Sequence, residues 1–304
     1  MKMKEETGGK LCLSAAMLIF GSIGLFVRYL SLPSAWIATV RGGVGTVFLL
    51  LVVLFSRKKL SGKAIRSNLP LLLISGAAIG FNWVLLFESY RYTTVATATV
   101  CYYMAPVIVM ILSPLLLSEH LNGGKIVCIV LALVGMLLVS GVLKDKPSAG
   151  QGKGILFGLA AAALYASVML MNQKMKEIPA YDKTILQLGT AAVVVGVYSF
   201  FSQKAEFSSL SGKQIVLLLT VGIIHTGVAY WLYFASMGKL SGTTVALYSY
   251  IDPAFAMLLS IIVLREKTGI LELIGAILIL GATLAGEFIP AGNGSCQLKK
   301  KTRS

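Results

Sequence analysis

Ten apolar runs, each close to the length that crosses a bilayer, leave this chain little choice of fold. About 20 helical residues span the hydrocarbon core of a membrane. The runs cover residues 11–27, 35–55, 69–87, 95–117 and 126–143, then 155–171, 185–201, 215–234, 245–264 and 270–289. None alternates apolar with polar residues as barrel strands do, so the expected spans are helices. Short polar loops separate them, with helix-starting residues such as Ser211, Ser241 and Thr268, and no stretch is long enough for a separate soluble domain. The first run is expected to be a retained membrane helix. Its basic start is followed by Glu5 and Glu6, and no small-residue cleavage site closes it.

Composition agrees. Of 304 residues, 57% are hydrophobic and 13% charged, against about 25% charged in soluble domains. A chain this poor in charge cannot cover itself with polar surface, which excludes a soluble enzyme or binding module. It is too apolar to be disordered. Four scattered Cys build no disulfide scaffold, and with only two His they imply no metal site. The Gly-x-x-x-x-Gly-Lys-Ser/Thr loop of ATP-driven pumps is missing. No cofactor is expected.

The net charge of +15 would suggest nucleic acid in a soluble protein. Here it is better explained by topology and by anionic lipid. With the N-terminus inside, 17 of the 27 Lys and Arg fall in inward loops and tails, most densely between Arg57 and Arg66. The positive-inside rule then places both termini in the cytoplasm of a multi-pass cell-membrane protein.

The second half of the chain echoes the first. At a shift of 147, Phe87 meets Phe234, Ser89 meets Ser236, Thr97 meets Thr244 and Tyr103 meets Tyr250. Pro106 then meets Pro253, Ser113 meets Ser260, Leu117 meets Leu264 and Glu119 meets Glu266, without a gap. Earlier segments fit a shift of 145 or 146: Phe20 with Tyr165, Ser22 with Ser167, Arg41 with Gln187 and Gly43 with Gly189. Five helices per unit is an odd number, so the two units enter the membrane from opposite sides. The expected fold is therefore an all-α integral membrane protein, ten transmembrane helices as two inverted five-helix repeats. The repeats are residues 1–146 and 147–290, and a basic cytoplasmic tail follows at 291–304. This plan recurs in secondary transporters, where symmetry supplies the inward-open and outward-open states.

On these residues the chain resembles the drug/metabolite transporter superfamily, in its EamA-domain branch. The resemblance spans both units and rests on the helix count and on two stretches. They read Tyr103-Met-Ala-Pro106 … Leu117-Ser-Glu-His120 and Tyr250-Ile-Asp-Pro253 … Leu264-Arg-Glu-Lys267. A Gly-containing apolar helix follows each, with Gly135 in one and Gly275 and Gly281 in the other. In the first run Phe20-Gly-Ser22 stands where many relatives have Trp-Gly. The resemblance implies a ten-helix transporter enclosing a central cavity built by both halves, commonly an exporter of amino acids, other small metabolites or toxic compounds.

Few polar residues lie within the runs. Arg41, His225 and Asp252 are ionisable groups in hydrocarbon, each a functional candidate because such a position costs several kcal/mol unless it faces a cavity or partner. Arg41–Asp252 and Asp252–His225 pairs are both open to the sequence. Each residue equally fits a bland role, Arg41 reaching the interface and His225 a satisfied packing histidine. Asn82 shares one face of the third run with Ser75 and Ser89, and these correspond to Ala229, Gly222 and Ser236. His225 stands four before Ala229, so Asn82 and His225 are expected to share one interior. Packing glue is the bland reading of Asn82. Trp83, Tyr102, Tyr103, Trp231, Tyr248 and Tyr250 are expected to line the cavity with Arg41, Asn82, His225 and Asp252, since several of these aromatics lie well inside their runs. Pro106 and Pro253 kink their helices and are candidate hinges. Glu119 and Glu266 mark opposite mouths, as gates or as caps. Gly76-x-x-x-Gly80 and Gly154-x-x-x-Gly158 read as close packing.

The expected function is secondary transport of a small organic molecule by alternating access, most simply export, driven by a substrate or proton gradient. The partners are that small molecule and membrane lipid; the chain is expected as a monomer or a homodimer. Competing classes are an intramembrane enzyme, which lacks a nucleophile–base motif here, and a channel or non-transporting partner subunit.

Overall fold

In the computed structural model, residues 2–27, 29–57, 59–93, 95–117, 122–139, 151–175, 177–202, 204, 207–263 and 269–289 are described. The first half contains α1 (Lys2–Val27), α2 (Ser34–Phe55), α3 (Gly62–Tyr92), α4 (Val95–Tyr102), α5 (Ala105–Leu117) and α6 (Gly123–Val139). The second contains α7 (Gln151–Lys174), α8 (Ala180–Ser202), α9 (Gly212–Gly222), a π-helical segment (Ile223–Val228), α10 (Ala229–Met237), α11 (Gly242–Tyr248), α12 (Ile251–Ile262) and α13 (Ile270–Phe288). A short 3₁₀ turn, Phe207–Ser209, precedes α9. Helix α3 starts seven residues before its apolar run and carries Lys63 and Arg66 in its first turns.

The fourth and ninth runs are each broken into two helices rather than kinked. Pro106 is the second residue of α5 and Pro253 the third of α12. A proline ring clashes with the carbonyl four residues back, which here belongs to Tyr102 and to Ser249. Helix α4 ends at Tyr102 and α11 ends just before Ser249. The breaks therefore fall where proline sterics put them.

The bundle buries polar side chains within its apolar core and presents apolar ones outward. Ser75, Asn82, Ser89, Asn172, Thr184, Gln187, His225 and Ser236 are buried, while Leu54, Phe55, Leu115, Phe200, Phe201, Ile262 and Phe288 face outward. Water would not tolerate that surface, but hydrocarbon does. Among the described residues, six helical stretches are long and apolar enough to cross a bilayer: Glu5–Val27, Ser34–Phe55, Gly62–Ser89, Gly152–Lys174, Ala180–Ser202 and Gly212–Met237. Shorter apolar helices stand beside them at Ala105–Leu117, Gly123–Leu138 and Leu273–Gly286.

Packing is reciprocal between the halves. Helix α3 packs on α7 and α8, while α9, the π segment and α10 together pack on α1 and α2. Helix α2 pairs with α8, α5 with α11, and α6 with α13. Glycines allow the closest approaches. A Cβ at Gly76 would lie 2.7 Å from Thr190, and one at Gly222 would lie 2.6 Å from the Cβ of Val44. A Cβ at Gly80 would meet Val194, and one at Gly227 would meet Phe48. Three of these correspondences (Gly76 with Gly222, Val44 with Thr190, Phe48 with Val194) are shifts of 146, but Gly80 with Gly227 is a shift of 147. The extra residue lies between Gly222 and Gly227, where the helix opens into its π turn. A π turn accommodates one added residue without ending the helix. This changes one expectation: Gly222 is the counterpart of Gly76, not of Ser75, and Val221 takes the place of Ser75.

Candidate functional site

A continuous set of rings runs through the centre of the bundle. Trp83 of α3 lies edge-on to Tyr230 of α10, with centroids 6.2 Å apart, and Tyr230 meets Phe20 of α1 at 5.0 Å. Phe20 reaches Tyr233, whose hydroxyl is 3.0 Å from that of Tyr165 on α7. Tyr165 stacks on Tyr102 of α4 at 5.3 Å, Tyr102 abuts Tyr103, and Tyr103 leans on Tyr250 at 6.3 Å. At two points, Trp83–Tyr230 and Tyr103–Tyr250, the rings in contact hold matching positions in the two halves.

Arg41 stands at one end of this set. Its guanidinium lies over the Trp83 ring, 4.4 Å from the centroid, a cation–π contact of roughly 0.5–2 kcal/mol. The Nε of Arg41 is buried without a hydrogen-bond partner. Tyr230, Tyr102 and His225 are titratable neighbours of Arg41, and among the described residues it forms no ion pair with a carboxylate.

Asp252 stands at the other end, in the first turn of α12. Tyr103 is a polar neighbour of its carboxylate, and among the described residues Asp252 forms no ion pair with Arg41 or His225. Helix α1 comes very close here. A Cβ on Gly21 would lie 2.6 Å from the Asp252 carbonyl oxygen, which explains a glycine after Phe20. Asp252, Arg41, Tyr165 and Tyr230 all lie deep in the bundle, desolvated by surrounding protein. Each nevertheless keeps part of its surface accessible.

His225 lies in the π turn. Thr226 Oγ1 donates to the Val221 carbonyl five residues back, 3.0 Å away, which satisfies a carbonyl that the widened turn would leave short of a donor. The His225 ring is buried, with Nε2 3.0 Å from Ser22 Oγ and the ring 4.6 Å from that of Phe26. It therefore joins the π turn to α1 beside Arg41.

Several expected cavity residues lie elsewhere. Asn82 is buried in the α3–α7 contact, where Nδ2 donates to the Ala161 carbonyl at 2.7 Å. It is interhelical glue and does not share an interior with His225. Trp231 is 39% exposed and lines an outward apolar pocket with Phe48, Leu49, Val52, Val53, Tyr181 and Val228, because its place on α10 turns it away from Tyr230. Tyr250 is wholly buried and donates to the Tyr103 carbonyl at 3.1 Å, and Tyr248 is buried in the main core. Both are packing residues of the α11–α12 break. Pro106 and Pro253 are buried at the two breaks. Glu119 and Glu266 lie outside the described residues.

Phe20, Tyr165, Tyr230 and Tyr233 complete the ring set, although they are not among the residues expected from sequence. A 3.6-residue periodicity in apolar runs cannot tell an inward aromatic from a lipid-facing one. Their signal is pairing across the repeat: Phe20 with Tyr165, and Trp83 with Tyr230. Away from the centre, Glu88 accepts from Tyr198 and Arg91, and Asp182 accepts the Ser61 backbone N–H at 2.9 Å, fastening α3 to α8 at both ends.

A multi-pass helical bundle with an apolar outer surface and polar and aromatic side chains inside defines the class: an integral membrane protein. A sequence profile of the EamA-like transporter family matches residues 7–141 and again 152–285. The "uncharacterized transporter YxxF" of Bacillus subtilis (strain 168) is 30% identical over 91% of this chain and 88% of its own length. "Protein RarD" of Escherichia coli (strain K12) is 22% identical over 88% of this chain and 90% of its own. A solved crystal structure superimposes with a TM-score of 0.81 over 91% of this chain and 96% of that one, at 16% identity, which speaks to the fold alone. The chain belongs to the EamA-like transporter family, within the drug/metabolite transporter superfamily. It is a membrane transporter and not an enzyme.

Proposed function

We propose that this transporter is a secondary exporter of small organic metabolites, such as amino acids or amphipathic compounds, working by alternating access. The observation that carries this reading is the convergence of Arg41, Asp252 and the ring set at the centre of the bundle, drawn from α1, α2, α3, α4, α7, α10 and α12. A site contributed by both halves suits a carrier in which each half moves against the other. The two halves are read as inverted five-helix repeats, residues 1–146 and 147–290, in which each broken helix pair and its flanking apolar helices supply the remaining spans. Reciprocal packing and the paired family matches support that plan. Both breaks lie next to the site, through Tyr103 at one and Asp252 at the other, so they serve as hinges. Positive loop charge supports both termini in the cytoplasm of the cell membrane.

The test is loading of everted membrane vesicles with radiolabelled metabolites, with and without an imposed pH gradient. Saturable uptake into everted vesicles, equivalent to export from the cell, is expected. Movement that rises linearly without saturating would favour a channel, and uptake only into right-side-out vesicles would reverse the proposed direction.

A further inference from the structure

We infer that the outward recess beside Trp231 and the basic loop next to it form one binding site for an anionic phospholipid, with an acyl chain in the recess and the phosphate on the loop. The recess lies between α2, α8 and α10, measures about 160 Å³ and is lined by no charged side chain. Leu49 and Val53 are buried at it, while Val52 and Trp231 are exposed. An apolar cavity of about 150 Å³ takes a molecule the size of benzene, so this recess takes a short stretch of hydrocarbon chain.

The loop brings charge to the recess. Arg57 follows Val53 by four residues, roughly 6 Å along a helix axis, and its φ of 51° turns the chain off the end of α2. The Ser61 N–H meets the Asp182 carboxylate at 2.9 Å, beside Tyr181 of the recess. The loop is thus anchored at the ends of α2 and α8, two helices that flank the recess. Arg57, Lys59, Lys63 and Arg66 are exposed, and among the described residues none is paired with a carboxylate. Guanidinium and ammonium groups bind phosphate, and Tyr and Trp are the side chains that settle at headgroup level.

The other half presents the same face without such a site. At a shift of 146, Tyr198 and Ser199 stand for Val52 and Val53. Tyr198 donates to Glu88, and Ser199 Oγ lies 3.1 Å from Thr39 Oγ1. Ala35 stands for Tyr181 and, at 147, Val84 for Trp231. Gln203, Ala205, Ser209 and Gly212 hold the positions of Arg57, Lys59, Lys63 and Arg66. Apolar lining, aromatic pair and charge differ together between the halves, as parts of one site do. Free phosphate satisfies the loop alone and a hydrocarbon the recess alone; a phospholipid reaches both. Its place is on the seam where α2 of the first half packs on α8 and the π segment of the second.

The test uses the full chain in mixed micelles with dioleoylphosphatidylglycerol or dioleoylphosphatidylcholine, each also with brominated chains. Bromine quenches indole fluorescence on contact, and the quenching lost in Trp231→Phe reports the recess. Brominated phosphatidylglycerol is expected to half-quench Trp231 at a mole fraction roughly ten- to thirtyfold below that of the phosphatidylcholine. Arg57→Gln with Lys59→Gln should abolish that difference and leave quenching by phosphatidylcholine unchanged. Micelles have no sides, so the orientation of this variant does not enter. Val52→Phe brings in the bulk of Tyr198 without its hydroxyl and should protect Trp231 from both lipids. Equal quenching of the wild type by the two lipids would make the recess an ordinary lipid-facing surface and overturn the site, whatever the variants do. A preference that survives the charge variant would overturn it, as would glycerol phosphate competing as well as the whole lipid. Phosphatidylglycerol retained in native mass spectrometry with Trp231 unquenched would leave the recess without a chain and overturn it too.

Discussion

Asp252 lies beside Tyr103 inside a membrane-spanning bundle, where the Tyr250 hydroxyl, donating to the Tyr103 carbonyl, joins the two broken helices across the halves. Replacing Asp252 with Asn keeps the size and removes the charge. The expected outcome is normal membrane insertion with transport lowered at least tenfold, read as initial rates in vesicles; unchanged flux would remove Asp252 from the site. Asn82 makes the opposite prediction. Asn82→Ala leaves the Ala161 carbonyl without its donor and should destabilise the protein by roughly 0.5–2 kcal/mol, the range of hydrogen bonds between membrane helices. Half-saturation should not change, because Asn82 bonds the α7 backbone in a buried helix contact. A thermal melt in detergent paired with a transport titration separates the two effects.

At the scale of elements, the π turn and the breaks carry the testable content. Deleting Ile224, which faces outward, would restore the spacing of 146 between Gly80 and its counterpart and turn the following residues by about 100°. His225 should then lose Ser22, and transport should fall although the chain still inserts. Pro253→Ala restores a backbone N–H at the α11–α12 break. It should slow turnover with little effect on half-saturation, measured as rate against concentration, because a hinge is touched and the binding groups are not. The apolar runs were legible as helices because hydrocarbon imposes one length and one backbone solution. The proline breaks were legible as bends, since ring sterics act locally. The π turn left only a slip of the repeat from 146 to 147, which reads equally well as a loop insertion. Arg41 and Asp252 stood out because charge in hydrocarbon is costly. Asn82 and Trp231 were misplaced because a face on a helical wheel does not say which neighbour covers it.

For the whole molecule, the proposed five spans per half give an even total, which puts residues 1 and 304 on one side of the membrane. Reporter fusions at residues 1 and 304 should both be active in the cytoplasm and silent in the periplasmic or external form. Opposite sidedness would break the inverted-repeat plan whatever the substrate proves to be. Neutralising Arg57, Lys59, Lys63 and Arg66 together should give a mixed orientation in the same assay, since that loop holds the densest inward positive charge.

The single residue added in the π turn has a thermodynamic consequence. A carrier made of two identical inverted halves would have inward-facing and outward-facing conformers of equal free energy, because either maps onto the other. Every difference between the halves lifts that degeneracy, and the added residue does so in the backbone itself. On the proposed alternating-access cycle, the substrate-free protein then rests mostly on one side, even with no voltage or concentration difference across the membrane. Even a bias of about 1.4 kcal/mol would make that ratio tenfold.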